Sequence, residues 1–401
     1  MKTSILLLII SISRATNSFL FRRVSLDDDD RDRPAASTGH SLVARRNSLW
    51  LFGGIIEWHS KQGEKGRIQY GHVLWQFDRE DGVWERTIAS GGSTHRRLEE
   101  NQTVELRHMG FIINGTVQST NRKDKMVDVE IEEYPGHHQT IAVSKQDILY
   151  YPPPMNMHVA VVHGEKLLYV HPGKSKSGKP ICQVWAYSFE KDVWTQIHWR
   201  TGSPEPKPRE MHAGVAMAGG LLIYGGNKGR HIYSDLWHFS FQNAHWTEIK
   251  STGETQAPAI WGHSTIVYEG DMWIFGGRDS DHCLSQLWRF NWNNKMWVNE
   301  TDKSSIQPPP RKGHSAVTYS HCMIIFGGHD SGASTGFMND LWVYDFNQSE
   351  WQEIKMERDD KPPPRNFHKA AILASEMFIF GGNNDDGLLN DFWSADFSDI
   401  C

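Results

Sequence analysis

The apolar residues of this chain fall into short runs separated by turn residues, and between 311 and 353 the runs form a set: His314-Ser-Ala-Val-Thr-Tyr319, Met323-Ile-Ile-Phe326, Asp340-Leu-Trp-Val-Tyr344 and a last run opened by Trp351. The first alternates, which suits a half-buried strand, and the second is a continuous apolar run of strand length. A glycine pair, Gly327-Gly328, ends the second run. Glycine there admits backbone angles closed to other residues and lets a neighbouring strand come close. The set therefore predicts four short β-strands.

The cadence repeats, and fixed-period repeats decide the fold before any single motif does. Histidines stand at His40, His158, His212, His263, His314 and His368, and thirteen residues after each comes the glycine slot. Five units fill that slot with a pair: Gly53-Gly54, Gly225-Gly226, Gly276-Gly277, Gly327-Gly328 and Gly381-Gly382; the second unit reads His171-Pro172-Gly173. Tryptophans nine residues apart follow, at Trp75/Trp84, Trp185/Trp194, Trp237/Trp246, Trp288/Trp297 and Trp342/Trp351, whereas Trp393 of the sixth unit has no partner before the chain ends at Cys401. A lone four-stranded sheet cannot bury both faces. Several stacked around an axis can, with Trp and Phe filling the wedges between them, which is a β-propeller.

The glycine pair, the Asp/Asn-Leu-Trp strand and the second tryptophan resemble the kelch repeat, and the resemblance covers six units and most of residues 34–401. It implies an all-β kelch propeller of six recognisable four-stranded blades over residues 19–401, with seven blades if residues 95–150 form a degenerate one. In the regular units the second tryptophan lies 17 or 18 residues ahead of the next histidine, and counting back from His40 reaches Arg23 or Arg22. Phe21-Arg-Arg-Val24 echoes Trp246-Thr-Glu-Ile249 with a slip of one or two residues. An N-terminal strand is thus expected to complete the last blade, closing the ring and removing two exposed edges.

Between Trp84 and His158 the cadence breaks, leaving about 57 extra residues without tryptophan. Their β-like runs and Asn-Gly and Pro-Gly turns allow a degenerate seventh blade or a small β module inserted over residues 95–152. Gly115-Thr-Val, Val127 to Tyr134 and Ile148-Leu-Tyr-Tyr resemble an SH3- or Tudor-like barrel. Six blades plus an insertion is the preferred reading.

Composition adds a compartment. Residues 1–15 read as a signal peptide, with a lysine, an apolar run and small residues at Ser13-Arg14-Ala15; the run is too short to span a bilayer. The sequons at Asn101, Asn114, Asn299 and Asn347 are glycosylation candidates and agree with a secretory route. The four cysteines, Cys182, Cys283, Cys322 and Cys401, match no metal spacing and allow up to two disulfides in an oxidising compartment. The run Asp27 to Asp30 splays its carboxylates instead of converging on a cation. With 48 acidic and 42 basic residues the chain carries net charge −6, without the basic footprint of a nucleic-acid binder.

No nucleophile elbow or phosphate-cradling loop is present, and no catalytic residue, metal or cofactor is expected. A ring of six imidazoles is a formal metal candidate, but equivalent positions in six blades stand apart, so the repeat histidines are expected to pack against the neighbouring blade and bond its backbone. Arg209, Arg311 and Arg365 each precede a repeat histidine by three, where the other units carry Ser37, Met155 and Ile260. A scaffold position would not lack its charge in half the blades, so these arginines are the candidate ligand-binding face, able to receive an acidic peptide or glycan. The loops that vary most between units, 55–72, 174–180, 227–234, 278–285, 329–338 and 383–389, would carry specificity. The expected function is a secreted or lumenal, non-catalytic scaffold for a protein or glycan ligand, with no nucleic acid and no membrane span. The alternatives are a mutarotase-like sugar enzyme and an intracellular adaptor of the ubiquitin-ligase type. The latter needs a BTB or F-box segment, for which the 33 residues ahead of the first blade are few.

Overall fold

The computed structural model describes residues 19–24, 33–58, 67–70, 73–87, 90–91, 103–108, 111–120, 126–134, 137–144, 148–149, 152–175, 183–200, 202–332, 336–356 and 361–401. The leader, the aspartate run, Asn101 and Cys182 lie outside them.

Each unit forms one antiparallel sheet. Blade 5 has strands Ser315–Tyr319, Cys322–Asp330, Gly336–Asp345 and Glu350–Ile354 in that order from the axis outward. The innermost strands of blades 1 to 6 are Ser41–Arg45, Val159–His163, Ala213–Met217, Ser264–Tyr268, Ser315–Tyr319 and Lys369–Leu373. Each lies beside the next, and the sixth lies beside the first. The ring is a closed six-bladed propeller. Blade 1 and blade 2 are direct neighbours, so the residues between them insert no seventh blade. Instead Thr103–His108, Phe111–Thr120, Met126–Tyr134, His137–Ser144 and Ile148–Leu149 make a separate five-stranded antiparallel sheet, with Ile148–Leu149 returning beside Thr103–His108. Ahead of it, Ser90–Gly91 runs parallel to Val193–Ile197 on the outer edge of blade 2.

The last blade borrows from the other end of the chain. Arg22–Arg23 pairs antiparallel with Phe392–Asp396, in register Arg22 to Ser394 and Arg23 to Trp393. The preceding Phe21 is buried, and its place follows a rule. In five blades the outer-strand tryptophan lies on an aromatic ring of the preceding blade: Trp84 on Phe380, Trp194 on Phe52, Trp246 on His171, Trp297 on Tyr224 and Trp351 on Phe275, with centroids 5.0–5.7 Å apart. In the sixth seam Phe21 lies 5.6 Å from Phe326. The missing sixth tryptophan is a phenylalanine delivered from the N-terminal segment, a step earlier than repeat arithmetic places it.

The other end is fixed as well: Cys322 of blade 5 is disulfide-bonded to Cys401, while Cys283 is free and buried. Among the described residues no helix is long and apolar enough to cross a membrane.

Phe21→Ala is expected to destabilise the propeller by about 3–5 kcal/mol in urea unfolding, the usual cost of truncating a buried phenylalanine. An unchanged midpoint would show that the ring does not depend on the N-terminal strand.

Candidate functional site

The blades meet around the axis through a belt of backbone hydrogen bonds. The residue before each repeat histidine donates its N–H to the same residue of the preceding blade: Gly39 to Phe367, Met157 to Gly39, Met211 to Met157, Gly262 to Met211, Gly313 to Gly262 and Phe367 to Gly313, at 2.7–3.3 Å. All six have φ between 49° and 67°. Three are glycines, for which this left-handed conformation is free of strain. Met157, Met211 and Phe367 adopt it against preference, and their contacts account for the glycines beside them. A Cβ on Gly39 would meet the Met157 sulfur at 3.0 Å, and one on Gly313 would meet the Phe367 ring at 3.2 Å. Met157 and Phe367 thus lie over Gly39 and Gly313.

The repeat histidine comes next, and every one is buried. Its ring meets, edge to face, the aromatic residue ahead of the preceding blade's glycine pair: His40 on Phe380, His158 on Phe52, His263 on Tyr224, His314 on Phe275 and His368 on Phe326. In the blade that departs from the glycine pair, His171 takes the aromatic role and also shares a 2.9 Å hydrogen bond between its Nδ1 and His212 Nε2. Three further seams close with a serine: His158, His314 and His368 bond through Nε2 to Ser41, Ser264 and Ser315 of the preceding blade. Burial, with nearby cations second, pulls His40, His158 and His263 down to about 3, and burial with Arg209 does the same to His171. His212, His314 and His368 are held well below the ordinary value by the same burial. These imidazoles are neutral packing elements. Among the described residues no group of three His, Cys, Asp or Glu side chains is placed to hold a metal ion.

The three arginines chosen from the sequence are not a ligand-binding face. Arg209, Arg311 and Arg365 are fully buried, and each fork is already occupied. Arg209 makes a bidentate pair with Asp235, Arg311 with Asp340 and Arg365 with Asp391, at 2.6–2.8 Å. Each also donates to the carbonyl of the first glycine of its own pair, Gly225, Gly327 or Gly381. Burial alone would raise the carboxyls, but the guanidinium hydrogen bonds overcome it and hold all three below the usual range. The backbone carbonyl at the same slot accepts from the second glycine of the preceding blade, as in Gly277 to Arg311 and Gly328 to Arg365. The slot is a stitch between blades. The sequence contains the signal, since Arg209, Arg311 and Arg365 occur only with Asp235, Asp340 and Asp391, whereas Ser37, Met155 and Ile260 accompany Val73, Gln183 and Gln286.

What varies around the axis lies one residue further on. Thr38, Asn156, Glu210, Trp261, Lys312 and Asn366 ring the axis and bridge to the segment after the glycine pair at Ile55, Lys174, Asn227, Arg278, His329 and Asn383. Those segments are not loose. Blades 1, 3 and 6 raise hairpins there, and in blade 5 the second and third strands extend into one. Side chains join some of them: Thr38 donates to Asn383, and Lys174 lies 3.7 Å from Glu210. Between blades 4 and 5 the face is aromatic and cationic. The Lys312 ammonium lies 4.6 Å from the Trp261 ring centroid, and Arg278 reaches across to Ser331 while bonding the Asp281 carbonyl. Both cations and Trp261 are partly exposed. Thr38, Asn156, Glu210 and Asn366 of this circle are buried, so its accessible part is Trp261 and Lys312, which motif reading missed because the position carries no repeated residue type across the blades beyond the two asparagines.

The chain matches the KLHDC2/KLHL20/DRC7 Kelch-repeats domain over residues 111–308 and 298–400. Relatives include a leucine-zipper-like transcriptional regulator 1 homolog of Drosophila melanogaster, 30% identical over 47% of this chain and 20% of its own length. Kelch domain-containing protein 3 of Homo sapiens is 31% identical over 48% of this chain and 52% of its own. Multiple epidermal growth factor-like domains protein 8 of Mus musculus is 25% identical over 57% and 8%. The matched region spans about half or less of each relative.

Two expectations follow. Arg311→Met should cost about 3–5 kcal/mol in denaturant unfolding by leaving Asp340 unpaired, and Arg311→Ile with Asp340→Gln, the pair blade 4 carries, should recover most of it; a double variant as unstable as the single would remove the stitch. The histidines are neutral when folded and bind protons with ordinary affinity when unfolded. The unfolded state therefore gains protons first, and stability present above pH 6.5 should fall towards pH 3 by up to about 1.4 kcal/mol per pH unit for each. His263→Leu should flatten that slope, measured as urea midpoints across pH.

Proposed function

Since the chain belongs to the kelch-repeat family, we propose that it is a non-catalytic binding scaffold whose ligand, a protein or a glycan, is received on the face carrying Trp261, Lys312 and Arg278. The observation that carries this reading is the contrast between seam and face. Residues that hold blades together repeat from unit to unit, whereas the circle bridged to the hairpins holds five residue types in six blades and leaves Trp261 and Lys312 partly exposed. A partly exposed tryptophan flanked by cations suits a binding hot spot. The packed, neutral histidines favour binding over acid–base chemistry, because none is free to carry a proton to a substrate.

The scaffold is proposed to work in the secretory pathway or outside the cell. Support comes from the leader-like residues 1–15, the Cys322–Cys401 disulfide and the sequon asparagines Asn299 and Asn347, both exposed. Asn114 lies within the strand Phe111–Thr120 of the inserted sheet.

Tagged full-length chain expressed in eukaryotic cells is expected in the medium, with a mobility shift on glycosidase treatment that Asn299→Gln and Asn347→Gln reduce. Proteins and glycans captured with it should be lost at least tenfold from Trp261→Ala/Lys312→Ala of unchanged melting temperature. Capture that survives both substitutions would move the binding site elsewhere.

A further inference from the structure

The position after the repeat histidine holds Ser41, Val159, Ala213, Ser264, Ser315 and Lys369 in blades 1 to 6. Three serines bond the next blade's imidazole. Lys369 stands in that slot at the seam between blades 6 and 1, and no serine bond forms there: His40 Nδ1 meets Ser37 Oγ at 3.1 Å, while among the described residues no side chain bonds its Nε2. The lysine enters the axis instead. It lines a chamber of about 40 Å³ with Met157, Met211, His263, His314 and Phe367. The same chamber is lined by Gly39, Met157, Met211, Gly262, Gly313 and Phe367, one from each blade, which places Lys369 at the axis; its charge accordingly opposes protonation of His40, His158, His263, His314 and His368. Among the described residues no carboxylate lies within ion-pair distance of it.

Lys369 is half-buried, and burial with no compensating charge holds its ammonium below the ordinary lysine value. The buried wall imidazole His263 has no hydrogen-bond partner at either nitrogen among the described residues, so a second group in the wall can bond a ligand. The space exceeds the roughly 10–15 Å³ that one water needs and suits a small anion. On one side the chamber is walled by the hydrogen-bonded belt with Met157, Met211 and Phe367. Two to four residues further along each inner strand lies an open apolar space of about 410 Å³ lined by Val43, Val162, Val215, Val317 and Ile372.

We propose that Lys369 and the surrounding imidazoles form a site for a small monovalent anionic group: a free halide, or the carboxylate head of a short aliphatic acid whose tail lies towards the apolar space further along the inner strands. The site is independent of the binding face. The occupant supplies the missing counter-charge and stabilises only the folded ring.

The full chain is titrated with sodium bromide, sodium formate and sodium butyrate at constant ionic strength, with sodium gluconate as the bulky balancing salt, while the melting temperature is followed. A saturable rise is expected in wild type and is lost in Lys369→Met and in Lys369→Ser, which restores the repeat residue and its bond to His40. Tighter saturation by butyrate than by formate identifies an acid whose tail lies towards the apolar space; bromide and formate alone identify a free small ion. Crystals of wild type grown in bromide should show an anomalous peak beside Lys369 Nζ. A wild type without saturable response and without the peak, or variants that respond as wild type does, overturns the site.

Discussion

The ring depends on a contact made six times at its axis: a residue in the left-handed conformation hands its N–H to the blade before, and the histidine that follows buries its ring against that blade. The first half costs backbone freedom and in three blades goes against residue preference. The second half places an imidazole where it cannot keep a proton. Both are tolerated because the belt is closed, so each residue is held from two sides. The outer tryptophans and the bonds from the glycine pairs to the next blade extend the same seam outward, and the Arg–Asp pairs fix the loop that receives those bonds within its own blade.

Much of this architecture was legible in the chain. The period, the four strands and the borrowed strand follow from His40 to His368, the tryptophan pairs and the count back to Arg22–Arg23. The packing role of the repeat histidines was legible too, because a feature present in every unit belongs to the frame. The same reasoning misled at Arg209, Arg311 and Arg365. Presence in half the blades looked like freedom to bind a ligand, whereas the relevant unit was the pair. A buried guanidinium needs its carboxylate, so arginine and aspartate come and go together, and a neutral or apolar combination replaces both. Comparing two positions at once, not one, carries that information.

The face was harder to read because its identity is positional. Trp261 and Lys312 belong to no motif. They matter because they stand next to the belt and because the backbone bridges of Trp261 to Arg278 and of Lys312 to His329 bring distant segments beside them. Likewise Lys369 reads as one more charged residue in the sequence. Only the ring turns its slot into a position on the axis. The inserted sheet was ambiguous for another reason: its length equals about one unit, and only the direct contact of Ser41–Arg45 with Val159–His163 decides against a blade.

The borrowed strand also sets an order of events. Arg22–Arg23 and its partner strand Phe392–Asp396 are separated by roughly 370 residues, which at translation rates of about 5–20 residues per second means a wait of roughly 20–75 s. Throughout that interval five blades can form and stack in sequence, but the chain's first strand has nothing to pair with. Ring closure is then the last step and the one of highest contact order, and such steps are slow. A nascent chain would pass through an open arc with an unpaired edge at the position that Phe21 later fills, and the duration of that state is governed by synthesis and not by any blade's own stability.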